Sequence, residues 1–380
     1  MASPAELAQQ LKFRDPEKAR ALAAALQREV DAIGRDEITI MHVCGSHEQS
    51  IARFGIRAVL PRQISLIMGP GCPVCVTDAP EIDEGVALAK QGCRVLTYGD
   101  MLKVPGTVKS LGDAQADGGK VDIVYGVEQA LEIARAHPDE EVVFFSSGFE
   151  TTAVATAAAI LRGLPKNLSV LSAHKYVPPA MEIVAGMPGS KVEAFLAAGH
   201  AAIITGCDCF RPMAQKYRMP IVVTGFEPLD VLAAILKTVE MIRHGEHDVA
   251  NCYPRCVTGP GNLPAQKMLW QVFEPVGGQW RGIAVIPDGN LRLKAEFAAV
   301  DARRRFDIDV RSLWDYAPPK LAERCICGEI MAGFKSPKDC ALFGKECLPE
   351  SPVGACMVSS EGTCKIWHQY GGVPDLKEVG

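Results

Sequence analysis

The sequence predicts an α/β protein of two units, each a mostly parallel sheet with helices on both faces, followed by a small irregular or helical segment. Three observations predict it. Short β-rich runs recur along the chain, each followed by a glycine-containing turn and a helical stretch. Hydrophobic residues make up 48% and charged residues 22%, which excludes a disordered chain. Between Cys325 and Cys364 six cysteines appear while strands and long helices run out, so this tail is expected to fold around something other than a hydrocarbon core. At 380 residues the chain has room for two or three domains.

The opening stretch, MASPAELAQQLKFRDPEKAR, is polar with a helical pattern and lacks the apolar core of an export signal. No run approaches the roughly 20 continuous apolar residues that cross a bilayer, so a cytoplasmic protein is expected. A formal net charge of −5 indicates no basic binding surface, and nucleic acid is not an expected partner. The first series of strands is expected at 37–43, 63–69, 93–99 and 120–126, able to form one sheet. A second runs through 141–148, 168–173, 201–206 and 220–225. VGGQWRGIAVIPDGNLRL reads as a hairpin-like β segment. The charged DARRR run and YAPPK mark the last junction. Domains of 1–140, 141–300 and 301–380 follow, with the N-terminal helix free to pack on another unit.

Fourteen cysteines in a reducing compartment point to metal ligation or thiol redox work rather than a disulfide framework. Cys44 in MHVCGSHE, and Cys72 with Cys75 in GPGCPVC, lie at the ends of the first two expected strands. If those strands are neighbours, all three thiols face one crevice. Cys72 and Cys75 alone could form a thioredoxin-like pair; the third thiol favours capture of a soft or borderline metal. A closed zinc site using His47 as fourth ligand is the competing metal reading. His47 and Glu48 sit near the first turn of the next helix, His47 as hydrogen-bond donor or proton relay, Glu48 as its orienting acid.

Glu150 in GFETT and Glu227 in GFEP each follow a strand, and two readings stand for both: a helix-capping acid, or a substrate-facing carboxylate beyond the strand ends. His174 in SAHKY, and Asp100 with Lys103 in YGDMLK, divide the same way between a supporting role at the site and ordinary packing or solvation. Six tail thiols exceed the four that one zinc or one cubane cluster needs. Four can carry a [4Fe–4S] cluster and leave two to cycle between dithiol and disulfide. Cys207, Cys209, Cys252 and Cys256 fit no clear pattern, and Cys93 reads as core.

MHVCGSHE, GPGCPVC, GFETT, GFEP, YPRCVT and DCALFGKECLPESPVGACMVSSEGTCK together resemble the hydrogenase maturation family HypD, iron–sulfur proteins used to build the iron centre of [NiFe] hydrogenases. The resemblance spans nearly the whole chain. Ser46 stands where Thr is expected, which preserves the hydroxyl. The resemblance implies two related α/β domains and a third, cluster-bearing one. It implies work with a HypC-type chaperone on an iron that acquires two cyanides and a carbonyl, with cyanide from HypE and HypF and delivery to the hydrogenase large-subunit precursor. By the family pattern Cys44, Cys72 and Cys75 correspond to the essential central thiols, with His47 and Glu48 in the same motif; Cys72 and Cys75 are expected to hold the iron, and Cys44 to enter as a ligand or as a proton and cyanide relay. Cys325, Cys340, Cys347 and Cys364 look like the cluster ligands, and Cys327 with Cys356 like the adjacent redox pair. Two rivals remain: a general thiol–disulfide oxidoreductase fed by a cluster, and an assembly platform without turnover.

Overall fold

The computed structural model describes residues 13–310 and 321–372. YAPPK lies outside them, as does most of the opening stretch. The strands are β1 (Ile38–His42), β2 (Ile64–Met68), β3 (Arg94–Thr97), β4 (Val121–Ile123), β5 (Val142–Gly148), β6 (Leu168–His174), β7 (Ala194–Ala198), β8 (Ile221–Thr224), β9 (Val249–Asn251), β10 (Phe273–Trp280) and β11 (Ala284–Leu293). They form a parallel five-stranded sheet in the order β2-β1-β7-β8-β9, a parallel four-stranded sheet in the order β4-β3-β5-β6, and the antiparallel hairpin β10-β11. Strands β1, β5, β6, β7 and β8 are buried along their whole length, as parallel strands covered on both faces are, which is why they read as continuous apolar runs.

Chain order misgroups the strands. The first two join β7 to β9 rather than β3 and β4, while β3 and β4 pair with β5 and β6. Position 201–206 is not a strand but part of the helix Gly199–Thr205, and the strand is the preceding AFLAA. A short apolar run of alanines and isoleucines fits either state by periodicity. Gly199 makes the sharp exit, since a Cβ there would run into the Thr224 carbonyl and the Tyr253 ring.

One apolar core runs between the sheets from Met41 and Phe195 through Phe145 and Trp280 to Met357 and Val358. Separate clusters cover the outer face of each sheet. The tail therefore does contribute hydrocarbon to a core, contrary to expectation. It consists of short helices, Cys327–Met331, Ala355–Val358 and Thr363–Tyr370, packed on the α/β body. Lys175 is fully buried and ties the layers together, donating to Glu81 Oε2 at 2.7 Å and Asn290 Oδ1 at 3.0 Å, while Arg292 holds the other Glu81 oxygen at 2.9 Å. Among the described residues no helix is long and apolar enough to cross a membrane.

Candidate functional site

In the five-stranded sheet the chain runs from β1 outward to β2 on one side, and from β7 through β8 to β9 on the other. The reversal lies between β1 and β7, where open parallel sheets bind ligands beyond the carboxyl ends of their strands. Cys44 leaves β1 and His200 leaves β7, and Cys44 Sγ lies 3.3 Å from His200 Nε2. Cys44 is wholly buried at the N-cap of the helix Gly45–Arg53. Burial, with Glu361 nearby, pushes its thiol up to about 12 against the pull of the Ser46 and His47 amides. Burial lowers the pKa of His200, leaving a neutral ring stacked on Phe226 with centroids 5.7 Å apart.

His47 packs on the same Phe226 ring at 5.0 Å. Burial, then His42 and His200, bring its pKa down to about 3, and neither ring nitrogen has a hydrogen-bond partner. Glu48 points elsewhere. Its oxygens take two bonds from Arg57 at 2.8 and 2.7 Å, one from Trp367 Nε1 at 2.6 Å, and the His42 Nε2 contact at 2.7 Å. It orients His42 rather than His47, and it ties β1 to the last described helix.

β1 and β2 are parallel neighbours, so the GPGCPVC loop leaves the sheet beside Cys44. Gly45 N donates to Gly71 O at 3.1 Å, and Gly71 lies so close to the Val43–Cys44 backbone that a Cβ would collide with it. Cys72 and Cys75 are joined by a disulfide. Cys75 Sγ lies 4.0 Å from the Ala355 carbonyl oxygen, one residue before Cys356. There Cys356 makes hydrogen-bonding contact with Cys327 and Cys364, and Cys325 Sγ is 3.2 Å from Cys327 Sγ. Contacts from Cys327 and Cys356 bring Cys364 down to about 6. Cys347 lies within electrostatic reach of Cys325 and Cys327, its sulfur accepting from Val353 N at 3.4 Å. Cys340 is half-buried at the edge of the same core.

The HypD family model, described as "Hydrogenase formation hypA family", matches residues 17–371. The chain belongs to that family. A putative hydrogenase expression/formation protein of Methanocaldococcus jannaschii is 41% identical over 355 residues, 91% of this chain and 97% of the relative. The hydrogenase maturation factor HypD of Azotobacter vinelandii is 40% identical over 372 residues, 95% and 96%. That of Cupriavidus necator is 39% identical over 380 residues, 97% and 98%.

In this HypD-family chain the other expected residues divide clearly. Glu150 is wholly buried beside His200; its Oε1 accepts from Val177 N at 2.9 Å, its Oε2 has no partner, and burial raises it to about 7. Glu227 caps the helix Pro228–His244 and pairs with Arg14 at 2.6 Å, which is a structural role. His174 is a core histidine, satisfied by Ser146 and Ser172 at 3.0 Å each. Asp100 accepts from Ser359 and Ser360, fastening the tail, and Lys103 is exposed. Ser46 donates to Glu361 Oε1 at 3.0 Å, a bond that a hydroxyl suffices to make. His200 and Glu361 escaped the sequence reading; a Gly-His pair opening a helix after a strand was the signal for the first.

Among the described residues no three His, Cys, Asp or Glu side chains converge as a ready cage for one ion. The tail donors are nonetheless thiols alone, the chemistry an iron–sulfur cluster takes. The Gly354 backbone packs directly on the sulfurs of Cys325 and Cys327, with which a Cβ would collide. The donor set fits a cluster spread over several sulfurs.

Proposed function

We propose that the chain is a thiol scaffold for hydrogenase maturation, which with a HypC-type chaperone assembles and carries an Fe(CN)2CO unit for the [NiFe] active site. The observation that supports this most is that Cys44 and the Cys72–Cys75 loop share one sheet end, with the tail backbone just before Cys356 against that loop. Cyanide is assigned to HypE working with HypF, and the recipient is the hydrogenase large-subunit precursor.

An iron that binds cyanide and carbon monoxide needs electron-rich donors, and thiolates supply that density. Burial keeps the proton on Cys44, and His200 at 3.3 Å is the acceptor for it. An incoming cation reverses the preference for the neutral thiol, as metal binding does for buried ligands. Cys72 and Cys75 become donors once their disulfide is reduced. That reduction is assigned to Cys327 and Cys356: the Cys72–Cys75 bond breaks, a Cys327–Cys356 bond forms, and two protons pass from the second pair to the first. Cys325, Cys340, Cys347 and Cys364 would hold a [4Fe–4S] cluster, which when bound supplies electrons singly.

The Cys72–Cys75 disulfide also suits the rival reading, a general thiol oxidoreductase. Infrared spectra of the anaerobic protein co-purified with HypC separate the two. Cyanide and carbonyl stretches are expected, and they should vanish in Cys44→Ala while the brown cluster colour persists. Normal maturation by Cys44→Ala would overturn the assignment. Missing stretches in the wild type, with turnover of generic disulfides, would favour the oxidoreductase.

A further inference from the structure

Two motifs, GFEP and YPRC, contribute no group to the chemistry above, and they meet beside Cys44. Phe226 of GFEP packs on the small cluster of Cys44, Ala198 and Ala201; it is only partly buried, whereas Cys44 is wholly so. Three rings surround it: His47 at 5.0 Å, His200 at 5.7 Å with the planes 11° apart, and Tyr253 edge-on at 6.0 Å. Phe226 therefore backs the imidazole that faces the thiol. Elsewhere the chain around Cys44 meets main chain. Gly71 lies against the Val43–Cys44 backbone and Glu361 against Gly45, each closer than a Cβ would allow. Backbone cannot swing aside, so the Phe226 side chain is the movable part of the cover.

Tyr253 of YPRC fixes that part. Its ring lies 2.8 Å from where a Cβ would stand on Gly199, just before His200, and 2.7 Å from the same position on Gly225, just before Phe226. Only glycine at both strand ends lets the ring come so near. Arg255 lies over the Tyr253 ring at 4.4 Å and over Phe13 at 4.3 Å, and Asp230 anchors its guanidinium through two bonds at 2.8 and 2.5 Å. In a close-packed arrangement of this kind Phe226 is not displaced without moving its neighbours.

We propose that Phe226 is the specificity-determining residue at Cys44: its ring, braced by Tyr253, stands between the thiol and solvent, admitting groups of a few atoms and turning away those the size of an aromatic ring. Tyr253 is the positioning residue, acting only through Phe226 and the two glycines. The use of such a filter, to keep the thiol for diatomic ligands and away from cellular electrophiles and disulfides, rests on the maturation reading above. The filter itself is measured without iron and without maturation.

The test treats the anaerobic full-length protein with iodoacetamide or with 2-iodo-N-phenylacetamide and follows the Cys44 peptide by mass spectrometry. Both reagents are attacked by the same thiolate with loss of iodide, so the ratio of their rates, divided by that for glutathione, reports size and not protonation. In the wild type the phenyl reagent is expected to fall behind by about tenfold or more, as a close-packed cover requires. Phe226→Ala leaves a hole the size of a phenyl ring and is expected to bring the ratio within about twofold of glutathione. Phe226→Leu should fall between the two and serves if the alanine form fails to fold; Phe226→Tyr should keep the wild-type ratio. Tyr253→Leu, which leaves Phe226 in place, should lose part of the discrimination, and Tyr253→Phe none. Cys93, a buried thiol at the start of β3, is the internal control. A wild-type ratio equal to that of glutathione overturns the inference, as does undiminished discrimination in folded Phe226→Ala or Phe226→Leu, or an equal change at Cys93, which marks general loosening. Size discrimination at Cys44 combined with normal maturation by Cys44→Ala would sink the maturation reading and leave the role of Phe226 standing.

Discussion

Replacing Glu150 by Gln isolates the electrostatic cost of burying a carboxylate near His200. Glu150 is wholly buried, with one oxygen bonded to Val177 N and the other without a partner, and burial lifts its pKa from 4.5 to about 7. The groups it interacts with are His200, Tyr176 and Cys209. A carboxyl raised in the folded state leaves stability intact below its unfolded value and erodes it as pH climbs through the folded value. The loss therefore spreads from about pH 4.5 to about pH 7 and is complete above. At 1.36 kcal/mol per tenfold, it amounts to roughly 3 kcal/mol, an upper bound because the pocket can relax. Glutamine keeps the acceptor for Val177 and carries no charge. Denaturant unfolding of both proteins at pH 5 and pH 8.5, under reductant, should show the variant gaining stability relative to wild type by up to about 3 kcal/mol at the higher pH. A difference that stays constant across that range refutes the reasoning.

Glu48→Gln should cost about 3–5 kcal/mol in denaturant unfolding, because Arg57 loses its buried partner. Arg57 and His42 hold the Glu48 pKa well below its ordinary value despite burial, so its contribution is present near neutrality and lost in acid, and the variant should lose less stability than wild type on acidification. Gly71→Ala should push the GPGCPVC loop off the Cys44 backbone, abolishing maturation at a cost of roughly 1–3 kcal/mol in stability, measured by in vivo hydrogenase assay and thermal unfolding. Glu227→Ala should cost about 1 kcal/mol through the lost helix cap and leave maturation intact; loss of maturation in a folded variant would restore its substrate-facing role.

The sequence made the strand-end thiols, the tail cysteines and the hairpin legible, because each depends on local spacing. Cys44 and Cys72 stand beside glycines that only a close backbone approach requires, and Gly71 meets that requirement. Sheet membership was not legible: β1 pairs with β7 through a contact across more than 150 residues, and nothing local tells one buried apolar run from another. His200 was hidden because the expected strand was placed one element late. Glu48 reads as a partner for its neighbour in MHVCGSHE, yet its bonds go to Arg57, His42 and a tryptophan 319 residues away. Burial alone separates Glu150 from Glu227, two acids in nearly identical local sequence.

The split five-stranded sheet also sets an order of events on the ribosome. β1 and β2 are synthesised early, but β7 follows only at residue 194, a wait on the order of ten seconds at ~5–20 residues per second. The four-stranded sheet, drawn from residues 94–174, has all its strands in the meantime and can close first. The nascent chain must then keep an unpaired apolar β1 edge from sticking to its neighbours. Until Phe226 has emerged, no partly made chain holds the finished arrangement of His47 and His200 beside Cys44.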